Sequence, residues 1–264
     1  MSPLQWELAA GVNLALALAC LALRLLSPSG CVAAFFIGAL IWGSLGWQGW
    51  ALLLTFFLVG TAATKFRYKD KAVKGVAQEH NGQRRWKHAW ANAGAGVLCA
   101  VFVLNFVQRR DRLHAEAWRW AFVACFASAL ADTLSSEFGQ LTGQAPRLIT
   151  TGEVVPTGTD GGITWAGTGV GVLGAALLSL EGRFLDLTPV RATLPILLAG
   201  LSGNLLDSWL GATLQRRGWL SNETVNFANT CGGAALGYLG FFVMGWLYAV
   251  LGTSGLPALM KHLI

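Results

Sequence analysis

Charge is scarce in this chain. Only 12% of its 264 residues are Asp, Glu, Lys or Arg, and the two acids together number 13. An ordinary soluble domain carries about 25% charged residues. That shortage excludes a soluble globule, and 54% hydrophobic residues with 12 Trp and 14 Phe exclude a disordered chain. Chemistry-bearing residues are thin as well. His80, His88, His114 and His262 are too scattered for H-E-x-x-H or for a helical pair of metal ligands. Cys20, Cys31, Cys99, Cys125 and Cys231 include no C-x-x-C and fall mostly inside apolar runs, so they read as small packing residues. No G-x-x-x-x-G-K-[ST], no G-x-S-x-G and no dinucleotide-binding glycine fingerprint occurs. Simple repeats and low-complexity linkers are also missing, so a single membrane domain over 1–264 is expected.

What is present is a series of apolar runs. Crossing the bilayer as a helix takes about 20 mostly apolar residues. Eight runs qualify, near 4–26, 31–47, 49–64, 89–107, 118–134, 162–180, 192–210 and 231–251. The expected fold class is all-α: a polytopic integral membrane protein of about eight transmembrane helices in a lipid bilayer. The second and third runs are short and separated only by Gln48 and Gly49, so a re-entrant pair also fits.

The net charge of +6 is concentrated in one place. Residues 65–88 hold eight cations against Asp70 and Glu79, and this imbalance equals the net charge of the whole chain. A basic loop between apolar spans is what the positive-inside rule produces, and it needs no nucleic acid as partner. No Lys or Arg precedes the first run, Glu7 stands where a signal peptide would be basic, and Arg24 follows the run. This asymmetry favours an outside N-terminus. It puts loops 65–88, 135–161 and 211–230 in the cytoplasm, although Arg109, Arg110 and Arg112 on the other side run against it. With no organelle-targeting extension in view, a prokaryotic cytoplasmic membrane with a cytoplasmic active face is the expected location. The sequence leaves a homo-oligomer open.

Ionisable residues at the ends of membrane spans are costly and are functional candidates by default. In the basic loop, Lys74, Arg84 and Arg85 accompany Gln78, Glu79 and the turn-forming Gly75 and Gly82. That set suits a polyphosphate clamp, although simple attraction to anionic headgroups explains the cations equally well. At the end of the fifth run, Asp132 and Ser136 share a helical face whereas Asp132 and Glu137 lie about 140° apart. The two acids therefore meet one ion only if the helix breaks; otherwise they address different partners, or the helix end is merely solvated. Next comes Arg147, and then Thr157, Gly158, Thr159, Asp160, Gly161 and Gly162, a glycine-rich turn placed directly before a helix. Such a turn can be an anion site at the positive end of the helix dipole, or glycine can serve geometry alone.

Glycines and polar residues also form stripes. Gly200, Gly203, Asp207 and Gly211 recur at spacings of three and four, with Asn204 and Ser208 on an adjoining face. Asn222, Asn226 and Asn229 then lead into Gly233, Gly237 and Gly240. Close helix packing explains the glycines but not a carboxylate and three amides in the same seam.

Acids, amides, cations and a glycine turn on one face suit Mg²⁺ with a nucleoside triphosphate, since magnesium binds a few carboxylates plus substrate phosphates. Asp132, Glu137, Asp160 and Asp207 are the candidate catalytic and metal-side carboxylates. Lys74, Arg84, Arg85 and Arg147 are the candidate phosphate-side cations, with Asn222 and Asn226 orienting. A lipid phosphate would need no strong general base, because its oxygen is already anionic. The seam of Gly200, Gly203, Asn204, Ser208 and Gly211 would hold the hydrocarbon tail.

These residues also carry a resemblance. Lys74-Gly-Val-Ala-Gln-Glu-His-Asn-Gly-Gln-Arg, Ala131-Asp-Thr-Leu-Ser-Ser-Glu-Phe-Gly and Pro146-Arg-Leu-Ile-Thr-Thr are three of its motifs. Pro156-Thr-Gly-Thr-Asp-Gly-Gly, Asp207-Ser-Trp-Leu-Gly-Ala-Thr-Leu-Gln and Val225-Asn-Phe complete them. In this order they resemble an integral-membrane family, once a domain of unknown function, over about residues 30 to 250. That family contains the plant phytyl-phosphate kinase of tocopherol synthesis and the animal transmembrane protein nineteen. The resemblance implies CTP-dependent conversion of an isoprenoid monophosphate, phytyl or another prenyl phosphate, to the diphosphate. Two other classes fit the same residues: a cytidylyltransferase attacking the α-phosphate, and a lipid-phosphate transporter or flippase.

Overall fold

The computed structural model describes residues 3–78 and 82–251. It is almost entirely helical. The helices are α1 (Pro3–Ala22), α2 (Pro28–Lys65), α3 (Tyr68–Val73), α4 (Trp86–Gln108), α5 (Arg112–Gly139), α6 (Trp165–Phe184), α7 (Thr193–Leu210) and α8 (Asn222–Val250). Two two-residue strands, β1 (Arg147–Leu148) and β2 (Gly162–Ile163), pair antiparallel between α5 and α6. Among the described residues α2, α4, α5 and α8 are long and apolar enough to cross a membrane as assigned.

α2 is two helices in one assignment. Gly46 has φ 74 and ψ −170, a conformation that interrupts the helix and is open to glycine alone at low cost. The chain folds back there. The Trp42 and Trp50 rings lie 5.0 Å apart, although eight residues of straight helix would separate them by about 12 Å. Arg84 touches both Gly30 and Gly60, so the two ends of α2 come together. The break thus falls at Gly46 rather than at Gln48–Gly49. Each arm, 28–45 and 47–65, measures about 27 Å, close to the hydrocarbon thickness.

α5 is the axis of the molecule. None of residues 120–131 is more than 1% exposed, which is how a helix apolar on every side behaves. Its alanines let neighbours approach closely. Gly96 of α4 faces Phe126, Gly174 of α6 faces Leu130 and Leu134, and Gly237 of α8 faces Ala124. Small residues rather than large ones therefore set the helix spacing, as in other membrane bundles. A polar tie joins α2 and α6, with Thr55 donating to Glu181 at 2.7 Å.

This arrangement brings many helix ends to one end of the bundle. Both ends of α2, the start of α4, the end of α5, the start of α6, the end of α7 and the start of α8 meet there. α8 begins at Asn222, well before the apolar run at 231, so the asparagine stripe is helical from its first residue. Ser221 caps it, accepting from the Thr224 N–H.

Candidate functional site

At that end lies a cavity of about 310 Å³. Asp132 and Glu137 of α5 line it, together with Asp207 of α7 and Asp160 of the loop before β2. So do Gln78, Arg84, Thr157, Gly158, Thr159, Gly161 and Gly162. Asn204, Ser208 and Gly211 contribute from α7 and its extension, and Asn222 and Asn226 from α8. Residues up to 150 apart in sequence converge because these helix ends do.

Other nominated residues lie elsewhere. Lys74 is off the lining, though its ammonium donates to the carbonyl of Gln140, a cavity residue, at 2.9 Å. Arg85 sits at the exposed N-cap of α4, and Arg147 is exposed and donates to the Gly152 carbonyl at 2.8 Å. Gly200 and Gly203 do not reach the cavity. A side-chain carbon on Gly200 would come within 2.9 Å of Ala127, and one on Gly203 within 2.8 Å of the Asn229 carbonyl. At these two glycines the seam is filled by α5 and α8. Glu79 lies outside the described residues.

The two acids of α5 have different partners, and the helix does not break. Glu137 accepts from Lys71 Nζ at 2.5 Å, and the ammonium also donates to the carbonyls of Thr64 at 2.7 Å and Ala63 at 3.1 Å. Lys71 is 1% exposed with all three donors satisfied. Asp132, on the other side of the helix, lies beside Asp207, and Asn229 approaches Asp207 from α8. The Oδ2 atom of Asp207 is buried with no hydrogen-bond donor in good geometry among the described residues. Asn229 is held in turn, its side-chain carbonyl accepting from Ser128. Asn204 donates to Ser135 at 2.9 Å, fixing α7 to α5 just beside the pair.

Arg84 is the buried cation facing these acids. It is 8% exposed, and its guanidinium sits 5.6 Å over the Phe56 ring. Burial pushes it down from its ordinary pKa while Glu137 and Asp132 pull it back up; arginine stays charged nonetheless. Asp160 is pushed up by burial, opposed by Arg216.

The glycine-rich turn does not feed directly into α6. β2 and the N-cap Thr164 intervene. Thr164 accepts from the Gly167 N–H at 3.0 Å, and Gln144 accepts from Ala166 N at 3.3 Å. Two of the first amides of that helix are therefore already bonded. The turn instead packs against a single turn of π-helix, Gly211–Gln215, that extends α7. Gly161 has φ 75, and a side-chain carbon there would collide with the Ala212 backbone. Gly161→Ala should therefore lower thermal stability by more than the roughly 1–2 kcal/mol of left-handed backbone alone. Gly169→Ala, on α6 with open space around it, is the control, and its melting temperature should not fall.

Sequence reading overlooked Lys71, Ser135, His88 and Asn92, although all four belong to the site or its support. His88 and Asn92, four residues apart at the start of α4, share a helical face, and this spacing was a usable signal.

Among the described residues no three His, Cys, Asp or Glu side chains form a metal cage. Two adjacent carboxylates with an unpartnered oxygen do fit an ion that takes its other ligands from substrate phosphates and water, as magnesium does.

Fold and site define an all-helical membrane protein with a polar, carboxylate-bearing cavity at one end of its bundle. The chain belongs to the family described as integral membrane protein DUF92, whose model matches residues 11–234. It is 37% identical to an uncharacterized membrane protein of Synechocystis, sll0875, over 218 residues, 81% of each chain. It is 35% identical to Protein VTE6, chloroplastic, of Arabidopsis thaliana over 228 residues, 84% of this chain and 68% of that one. A third relative, the uncharacterized membrane protein MJ0933 of Methanocaldococcus jannaschii, is 35% identical over 219 residues, 82% of this chain and 86% of its own. No solved structure matches.

Proposed function

We propose that the protein is a prenyl-phosphate kinase that transfers the terminal phosphoryl group of CTP to an isoprenoid monophosphate such as phytyl phosphate. The observation that carries this reading is the Asp132–Asp207 pair, open to a cation, facing Arg84 across one cavity. The family resemblance supplies the substrate class and the nucleotide. Magnesium, when bound, would neutralise charge on the transferring phosphates.

In this reading an anionic oxygen of the prenyl phosphate attacks the γ-phosphorus. The new O–P bond forms as the bond to the β–γ bridging oxygen breaks, and CDP leaves. Asp132 and Asp207 hold the metal, while Glu137 fixes Lys71, which ties α3 to the end of α2. Arg84 neutralises acceptor phosphate charge, and Asn222 and Asn226 orient the nucleotide. The loops bearing Gln78 and Thr157–Gly162 cover the reacting phosphates, with Val76 resting on Gly158. With eight crossings, counting the α2 hairpin as two, the cavity would share the side of the basic loop, which the positive-inside rule assigns to the cytoplasm.

Purified protein given Mg²⁺, CTP and phytyl or geranylgeranyl phosphate should yield the lipid diphosphate and one CDP per product, read by mass spectrometry. Unchanged lipid across several prenyl phosphates would overturn the reading.

A further inference from the structure

A second cavity of about 240 Å³ lies between α1, α2 and the start of α4. Its walls are apolar: Leu16 of α1 and Leu23 in the turn after it, Ile37 and Phe57 of the two α2 arms, and Ala89 and Ala93 of α4. Arg84, His88 and Asn92 line both this groove and the polar cavity, so the two meet at those residues. The floor is closed by a polar latch, Trp50 Nε1 donating to Asn13 at 3.1 Å. From Trp50 to Gly60, beside Arg84, the α2 arm measures about 15 Å. Leu23 and Leu58 line the groove yet are 67% and 52% exposed, so it opens sideways where the bilayer would be.

We propose that this groove holds the hydrocarbon chain of the lipid monophosphate acceptor, with the phosphate at Arg84. The proposal rests on the kinase reading for the identity of the acceptor. Three observations point to it. The glycine stretch of the α7–α8 seam expected to hold the tail is filled: Gly200 abuts Ala127, Gly203 abuts Ser128, and Gly233 abuts Ser128 and Ala124. The second concerns Arg84. Lys71 already has three acceptors, whereas the Arg84 guanidinium makes no ion pair and donates no hydrogen bond among the described residues. It stands over Phe56, at the junction of apolar and polar walls, with its backbone carbonyl fixed by the Ser27 N–H at 3.2 Å. A buried cation so placed matches a phosphate, and arginine can bind it through two N–H groups. The third is direction: a chain lying in the groove points its head into the cavity that holds Asp132 and Asp207.

The test reads binding rather than turnover. Geranylgeranyl phosphate carrying a photoreactive diazirine on its chain is crosslinked to the full-length protein in detergent, and the labelled peptides are mapped. Label is expected around 16–23, on α1 and the turn after it, and on α2 around 53–58. Arg84→Gln should reduce crosslinking of the phosphate at least ten-fold and leave that of the corresponding alcohol unchanged. Ala34→Phe, which fills the groove, should reduce both. Label on α7 and α8, or no specific label, overturns the groove whether or not the protein is a kinase. Label in the groove of a protein that transfers no phosphate leaves the groove standing and removes the kinase.

Discussion

Replacing Asp207 by asparagine is expected to lower phosphoryl transfer by roughly 10²–10³-fold, the usual loss when one preorganised charge-stabilising group is removed. The ligand-free protein should at the same time become no less stable. Both signs follow from the same geometry. Asp207 and Asp132 are adjacent, and Asp207 Oδ2 has no donor among the described residues. Two neighbouring carboxylates out of bulk water repel each other when both are ionised, and sharing a proton or binding a cation relieves that repulsion. Asparagine keeps the shape, relieves the repulsion and removes the ligand. A thermal-shift titration separates the two effects. Mg²⁺ with nucleotide should raise the melting temperature of the parent, because a ligand that binds only the folded state stabilises it. The Asp207→Asn protein should not respond. Near-parent turnover would remove Asp207 from the site, and an unfolded variant would contradict the claim that the pair is held against its own repulsion.

Lys71→Met is expected to destabilise the protein by about 3–5 kcal/mol, since it leaves Glu137 buried without its counter-charge. The ammonium joins α3, the last turn of α2 and the end of α5 through three bonds. Its loss should also loosen the loop that carries Gln78 and Val76 over the cavity. The double variant Lys71→Met/Glu137→Leu should recover most of the stability, because a buried ion pair can be replaced by apolar groups of similar volume at little cost. Thermal unfolding of the single and double variants measures this directly. Equal destabilisation in both would show that Lys71 acts through something other than Glu137.

The helices were legible because burial in lipid demands length and apolarity together. Apolar runs find α1, both arms of α2, and α4 to α8, though not their ends. The run at 231 misses two turns of α8, because Asn222 and Asn226 face a cavity and Asn229 is buried against Ser128, so these polar residues do not face the bilayer. The six-residue α3 is too short to leave a periodic signal, so Lys71 looked like seven other loop cations. Only the fold distinguishes a cation with three acceptors from Arg84, which has none among the described residues. The roughly 140° between Asp132 and Glu137 leaves open a broken helix, separate partners or a solvated helix end. The unbroken α5, with Glu137 bound by Lys71, selects separate partners. The glycine stripe on α7 was read for a tail because spacing reports a close approach and not what approaches; α5 and α8 do.

The most direct measurement of the central claim is the fate of a labelled phosphorus. Purified protein with Mg²⁺ and geranylgeranyl phosphate is given CTP labelled in parallel at the α or the γ position. Label from the γ position in a lipid diphosphate, with α label remaining in CDP, is the predicted result. Label from the α position in the lipid would mean cytidylyl transfer with pyrophosphate release, and label in neither would contradict phosphoryl transfer at this cavity.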